Sequence, residues 1–264
     1  MKKCQEVTGK EISSMFQGFY NLTSGVLSQN RNLNVISNNM ANISTPGFKS
    51  DQFLASTFRE ELISRTGNKD KAHPYPLGTT SKIKAADETI TDYTQGGYQP
   101  TRSTLDFALG SSGFFCIQTE NGTVYTRNGS FTLDDQGYLY LPTVGRVLGQ
   151  NGPIYLGTDK ITADSTGTIY SEDGNTRYGQ LLIVDFQNYD TQLVKTTGDV
   201  FVANGAAVPT QAQVVWKAVE GSNVDAVEQM TQMMSSQRAL QSSAQVLKMY
   251  DELIGKMVSQ ISPV

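Results

Sequence analysis

The chain has 264 residues, 38% of them hydrophobic and 17% charged, enough apolar material for one large or two ordinary folded domains. With 21 Lys and Arg against 25 Asp and Glu, its formal charge is -4 and no basic cluster stands ready to track a phosphate backbone, so nucleic acid is not an expected partner. Cys4 and Cys116 are its only cysteines, which excludes a disulfide framework and leaves the redox compartment open.

The N-terminal stretch MKKCQEVTGKEISS, residues 1–14, has lysines with no apolar segment behind them and so lacks the pattern of a secretion or lipoprotein signal. No apolar run approaches the ~20 residues that span a bilayer, and direct membrane insertion is not expected. From Met15 a heptad seam begins: Met15, Phe19, Leu22, Val26, Gln29, Leu33, Ile36 and Met40 recur at alternating spacings of four and three. The spacing predicts an N-terminal coiled-coil helix over 15–45. Between Ile12 and Phe48 the sole charged side chain is Arg31, where a solvated helix would carry Lys and Glu. Two readings stand, a core helix of this domain or a helix enclosed by neighbouring subunits, and the missing charge favours the second. Gly18, Gly25 and the many Asn and Ser are weak helix formers, so the segment needs partners to fold.

The helix pattern ends in NNMANISTPGFK, residues 38–49. Pro46 cannot extend a helix and disfavours a helical Thr45, and Pro46-Gly47 suits the two central positions of a type II turn. Phe48 is then redirected onto a neighbouring surface. A connector is expected over 46–96, in which Leu54, Phe58 and Leu62 at helical spacing predict a short helix over 51–65 before a His-Pro-Tyr-Pro linker. His73, the one histidine, sits in that linker with no companion for metal or acid–base chemistry.

From 97 to 219 the pattern changes to short β-branched and aromatic runs, VYTR, FTL, YLYL, TIY and QLLIVDF, in an antiparallel β-rich domain. Asn121-Gly122, Asn128-Gly129, Asp134 to Gly137, Asn151-Gly152 and Asp173-Gly174 read as hairpin turns. Asp134-Asp135 falls short of a calcium ligand set, and Gly110 to Gly113 beside FFCI forms no phosphate loop. Trp216 reads as core packing.

The last segment, 220–264, predicts a second coiled-coil helix, N-capped by Ser222 or Asn223, with Asp225 and Glu228 near its positive end. Met230, Met233, Gln237, Leu240, Ala244, Leu247, Asp251, Ile254, Val258 and Ile261 give its seam, and the methionines read as adaptable packing rather than ligands.

The stretch NNMANISTPGFK closely resembles the N-terminal signature of bacterial flagellar rod and hook proteins, Asn-Asn-x-Ala-Asn-x-x-Thr-x-Gly-Phe/Tyr-Lys/Arg. Asn38, Asn39, Ala41, Asn42, Thr45, Gly47, Phe48 and Lys49 match it. The run LDFALGSSGFFCIQTENGTVYTRNGSFTLDDQGYL resembles the family's Gly-Phe-Phe strand followed by Tyr-Thr-Arg-x-Gly-x-Phe. Its C-terminal signature is matched by Glu220, Ser222, Asn223, Val224, Gln237, Arg238 and Ala239. Residues 1–14 are an unmatched leader.

The resemblance implies an α+β axial component of the flagellum, of the distal-rod type by its modest length, located in the basal body. It implies export through the flagellar type III apparatus and assembly with copies of itself and other rod and hook proteins into a helical tube. In this family the terminal helices pair as an inner coiled coil and the β domain forms an outer layer. No cofactor, metal or catalytic residue is expected. The alternatives are a hook or hook-associated protein and, from another class, a secreted β-rich protein that binds or degrades carbohydrate, which would need an acid pair or aromatic platform.

Overall fold

A computed structural model describes the backbone of residues 2–65 and 75–261, and the side chains of 19–55, 88–196 and 198–256. His73, and the side chains of Met15, Val258 and Ile261, lie outside the described residues. The chain is α+β and divides into two units, one of residues 1–38, 52–90 and 227–264, the other of 39–51 and 91–226.

The first unit contains most of α1 (Lys2–Ala41), a hairpin of β1 (Asp51–Arg65) with β2 (Tyr75–Thr91), and α3 (Ala226–Ile261). The short helix expected over 51–65 is therefore a strand. Helical spacing of three apolar residues is a weak signal, and cross-strand pairing with β2 overrides it. The last helix also begins later than Ser222 or Asn223, at Ala226, with Glu228 in its first turn. The Asn223 side chain is engaged with Ser50 and Asp92 instead.

The second unit is a set of antiparallel sheets built, in chain order, from β3 (Tyr98–Pro100), β4 (Phe107–Leu109), β5 (Phe114–Thr119), β6 (Gly122–Thr126), β7 (Thr132–Leu133), β8 (Leu139–Leu141), β9 (Gly145–Gly149) and β10 (Gly152–Pro153). The chain continues through β11 (Ile161–Ala163), β12 (Thr168–Ser171), β13 (Arg177–Gln180), β14 (Ile183–Asp185), the single turn α2 (Tyr189–Gln192), β15 (Leu193–Thr197), β16 (Val200–Ala203), β17 (Val208–Pro209), β18 (Val214–Trp216) and β19 (Ala218–Glu220). The main sheet has the order β15-β16-β6-β5-β9-β8-β7, with β10 on β9 and β14 joining β5 and β17.

The run FFCI marks the centre of this sheet. Successive side chains of a strand point to opposite faces, so a run of four apolar residues means that both faces are covered. Phe115 and Ile117 enter one core with Phe107, Phe131 and Leu139, while Phe114 and Cys116 enter a second with Phe186, Leu193 and Phe201. The turns at Gly122, Gly137, Gly152 and Gly174 join β5 to β6, β7 to β8, β9 to β10 and β12 to β13, as the Asn-Gly and Asp-Gly signals predict. Asn128-Gly129 is different. It makes no hairpin: Gly129 O accepts the Phe107 and Phe131 N–H groups at 3.0 and 3.1 Å, and a Cβ on Gly129 would run into the Phe107 carbonyl. Close backbone approach, not a turn, demands that glycine.

Two small pairings carry the late chain back to the early chain. β18 pairs with β4, Trp216 opposite Phe107, and β19 pairs with β3, Glu220 opposite Tyr98. Trp216 packs at the edge of the larger core and donates from Nε1 to Thr104 O at 2.8 Å.

Candidate functional site

The residues after α1 unwind through a short succession of turns, with N–H donation from Asn42 to Asn39 O at 3.2 Å and from Thr45 to Asn42 O at 3.1 Å. The Thr45 hydroxyl donates to Asn42 Oδ1 at 3.2 Å. Phe48 N–H then closes on Thr45 O at 3.3 Å, with Gly47 at φ +70°, the conformation a type II turn requires at its third residue. A Cβ on Gly47 would run into the backbone of Arg127 and Asn128. The turn thus presses against the Tyr-Thr-Arg-Asn-Gly stretch, and Gly47 N–H donates to Glu220 O at 2.7 Å.

Beyond the turn lies a buried junction. Lys49 and Glu220 are 1% and 0% exposed, a burial that charged side chains reach only when paired. Lys49 Nζ lies 2.6 Å from Glu220 Oε1 and donates to Thr94 O at 2.7 Å, and Arg127 reaches Glu220 Oε2 at 3.2 Å. Gly96 N–H is a further donor to that carboxylate, at 3.1 Å. Burial lowers the Lys49 pKa below its ordinary value, and Glu220 opposes that shift. Phe48 is wholly buried, with the Lys195 ammonium 4.0 Å from the ring centroid. Lys195 Nζ also donates to Lys49 O at 2.6 Å and pairs with Asp51 Oδ2 at 2.8 Å.

Two asparagines hold the same knot through a donor and an acceptor carried on separate atoms. A planar amide carries a donor and an acceptor together. Asn39 donates from Nδ2 to Asp51 O at 2.8 Å and accepts Asp51 N–H on Oδ1 at 3.0 Å, standing in for a strand partner. Asn223 accepts Ser50 N–H at 2.7 Å and donates to Asp92 O at 2.8 Å and Thr94 Oγ1 at 3.1 Å. That is why Asn223 does not cap α3.

The junction gathers Asn39, Gly47, Phe48, Lys49 and Asn223, with Asn42 and Thr45 beside them in the preceding turns. Ser222 accepts Val224 N–H on its hydroxyl at 3.3 Å, both residues being half-buried. Asn38 and Ala41 face outward on α1, and Gln237 and Arg238 on α3. Sequence reasoning did not select Asp51, Thr94 or Lys195, which lie in no motif. Glu220 and Arg127 stand in matched motifs, Glu220 in the C-terminal signature and Arg127 in the Tyr-Thr-Arg stretch, but their pairing with each other and with Lys49 was not read from the sequence.

In the other unit the helices show their own pattern. Ile36 is buried, while Phe19, Leu22, Val26, Leu33 and Met40 are half-buried. On α3 the covered face alternates Met233, Leu240, Leu247 and Ile254 with Gln229, Ser236, Ser243 and Tyr250. Met230, Gln237, Ala244 and Asp251, the other half of the expected seam, are exposed. Apolarity located one line of the face and could not tell which flank was covered. The polar flank is, and there Asn32 Nδ2 donates to Ser236 Oγ at 3.2 Å.

Among the described residues no group of three or more His, Cys, Asp or Glu could hold a metal ion, and no helix is long and apolar enough to cross a membrane. Asp134 is a turn former: Oδ1 accepts Gln136 and Tyr138 N–H at 2.9 Å each, and Oδ2 pairs with Arg146. Apart from the buried Arg127 Nε, which has no partner, the junction's polar groups pair with one another, so what it does chemically is hold three distant parts of the chain together.

Comparison with known proteins meets the same three parts. A family model described as flagella basal body rod protein matches residues 19–49, one described as flagellar hook protein FlgE/F/G D1 domain matches 108–171, and one described as flagellar basal body rod FlgEFG protein C-terminal matches 217–261. The first ends on Lys49 and the last takes in Glu220. The chain is 31% identical to the flagellar basal-body rod protein FlgG of Bacillus subtilis (strain 168), covering 93% of this chain and 99% of that one. It is 31% identical to the FlgG of Agrobacterium fabrum over 87% of this chain and 94% of that one. To the flagellar basal-body rod protein FlgF of Caulobacter vibrioides it is 29% identical, over 89% and 93%.

Proposed function

The chain belongs to the flagellar basal-body rod protein family, and on that basis we propose that it is exported through the flagellar type III apparatus and polymerises with copies of itself and other rod and hook proteins into the axial drive shaft. It is a structural subunit of the flagellar basal body, in a family of structural rather than enzymatic proteins. Its work in this reading is mechanical. The observation that carries it is the junction, in which the N-terminal signature, the Tyr-Thr-Arg stretch and the C-terminal signature close on Glu220. A subunit that transmits torque must not yield where its elements meet, and a buried, multiply bonded carboxylate resists such yielding.

In the same reading α1 and α3 pair as a coiled coil over 15–45 and 220–264, the connector spans 46–96, and the β-rich part over 97–219 forms the outer layer. The Asn32 to Ser236 bond supports the pairing. The surface of α1, where Arg31 is the sole charge between Ile12 and Phe48, supports its enclosure by neighbours, as do Leu27, Met230 and Met234, exposed at 58%, 55% and 47%. Deleting the gene tests the proposal. Motility should be lost and basal-body assembly should stop at the rod, with growth unchanged; normal hooks on the deletion strain would overturn it.

A further inference from the structure

The covered face of α3 poses a selection problem. Its apolar line, Met233, Leu240, Leu247 and Ile254, repeats every seventh residue, so sliding a partner helix along it replaces each apolar contact by one of the same kind. Exposed Met230 and Met234 offer a further apolar surface one turn around the same helix. Hydrophobic contact alone therefore does not specify which stretch of α3 covers α1.

The polar flank can. Ser236 is 5% exposed, and its hydroxyl receives Asn32 Nδ2 at 3.2 Å. A slip of three or four residues along α3 would set the Asn32 amide against Met233 or Leu240, leaving a covered donor unmet. The next hydroxyl on that line, Ser243, donates to its own backbone at Ala239 O, 2.8 Å away, and lies a full heptad on, beyond the reach of a three- or four-residue slip. The face is not built for stability. Ser28, 5% exposed, keeps a buried hydroxyl with no partner, and so does the buried Oδ1 of Asn21, one heptad before it on α1.

We infer that the Asn32–Ser236 hydrogen bond is the specificity-determining contact of helix pairing, rejecting registers slipped by three or four residues while giving up some stability. A single polar residue at a seam position is known to act in this way in coiled coils. The inference rests on the reading that α1 and α3 pair in the assembled protein.

Spin labels at the exposed positions Asn34 and Arg238, in a Cys4→Ser chain diluted into unlabelled chain, report that pairing as a distance distribution in assembled full-length protein. The wild-type seam should give one narrow distance. Asn32→Leu and, without added bulk, Ser236→Ala should each broaden it or add a displaced population several-fold larger than in wild type, whereas Ser236→Thr, which keeps the hydroxyl, should restore the single distance. A single unchanged distance in Asn32→Leu and Ser236→Ala would overturn the selecting role while leaving helix pairing intact. Absence of any defined distance in the wild-type seam would overturn the pairing and the inference with it.

Discussion

Gly47 holds φ +70° against a wall of backbone from Arg127 and Asn128, so both strain and space forbid a side chain there. Gly47→Val should prevent the second unit from folding, whereas Pro46→Ala removes only a preset φ and should cost ~1 kcal/mol or less. Matching melting temperatures and motility in the two variants would contradict this. Glu220 answers two buried cations, so Glu220→Gln strands both and should cost ~3–5 kcal/mol, more than Lys49→Met, which leaves the Arg127 pair in place. Equal losses in chemical denaturation would show that the carboxylate is not the hub. Asp199 gives a pH test. Burial raises its pKa above 3.8, and its Oδ2 is buried without a partner. The folded protein therefore holds this proton more tightly than the unfolded chain, and the group's stabilising contribution, full below pH 3.8, is lost as pH rises through the folded pKa. Asp199→Asn should stabilise the protein at neutral pH and lose that advantage below pH 3.8. A gain independent of pH would refute it. At this scale the turn at Thr45 to Phe48 was legible, because Pro and Gly act locally. The partnership of Lys195 with Asp51 was not, since 144 residues separate them and neither sits in a pattern.

Among the elements, α1, α3 and the hairpins turning at Asn-Gly or Asp-Gly were legible from period and turn chemistry. The β1–β2 hairpin was not. Its first strand carries apolar residues at helical spacing, and only its pairing with residues 75–91 makes it a strand. The covered face of α3 carries Met233, Leu240, Leu247 and Ile254 of the expected seam together with serines that apolar spacing does not select. Covered serines look like solvent positions in a sequence, and only the folded chain reveals them. The exposed half of the seam now separates folding from assembly. Met230→Glu with Met234→Glu alters side chains already 55% and 47% exposed, so subunit melting should barely change while polymer yield falls sharply. Leu240→Glu, on the covered face, should instead weaken the proposed pairing of α1 with α3. Full polymer yield from the double glutamate variant would show that this stripe faces no neighbour.

For the whole molecule, an ordered terminal helix pair in a lone subunit would bare its Met, Leu and Val surface and obstruct passage through an export channel. The Asn, Ser and Gly of α1 give it little propensity to fold alone, so ordering should be coupled to subunit addition. Burial at ~25 cal/mol per Å² must then offset ~1–2 kcal/mol of backbone ordering per residue. In hydrogen exchange, residues 15–40 and 224–261 should exchange fast in dilute monomer and slowly in polymer, with the junction protected in both. Strong protection of both segments in a verified monomer would rule out coupled ordering. The most direct test of the rod assignment is electron microscopy of isolated basal bodies carrying a gold label on this chain. A rod subunit places the label along the rod, inside the basal body and below the hook; label confined to the hook, or absent from the axial structure, would contradict the assignment.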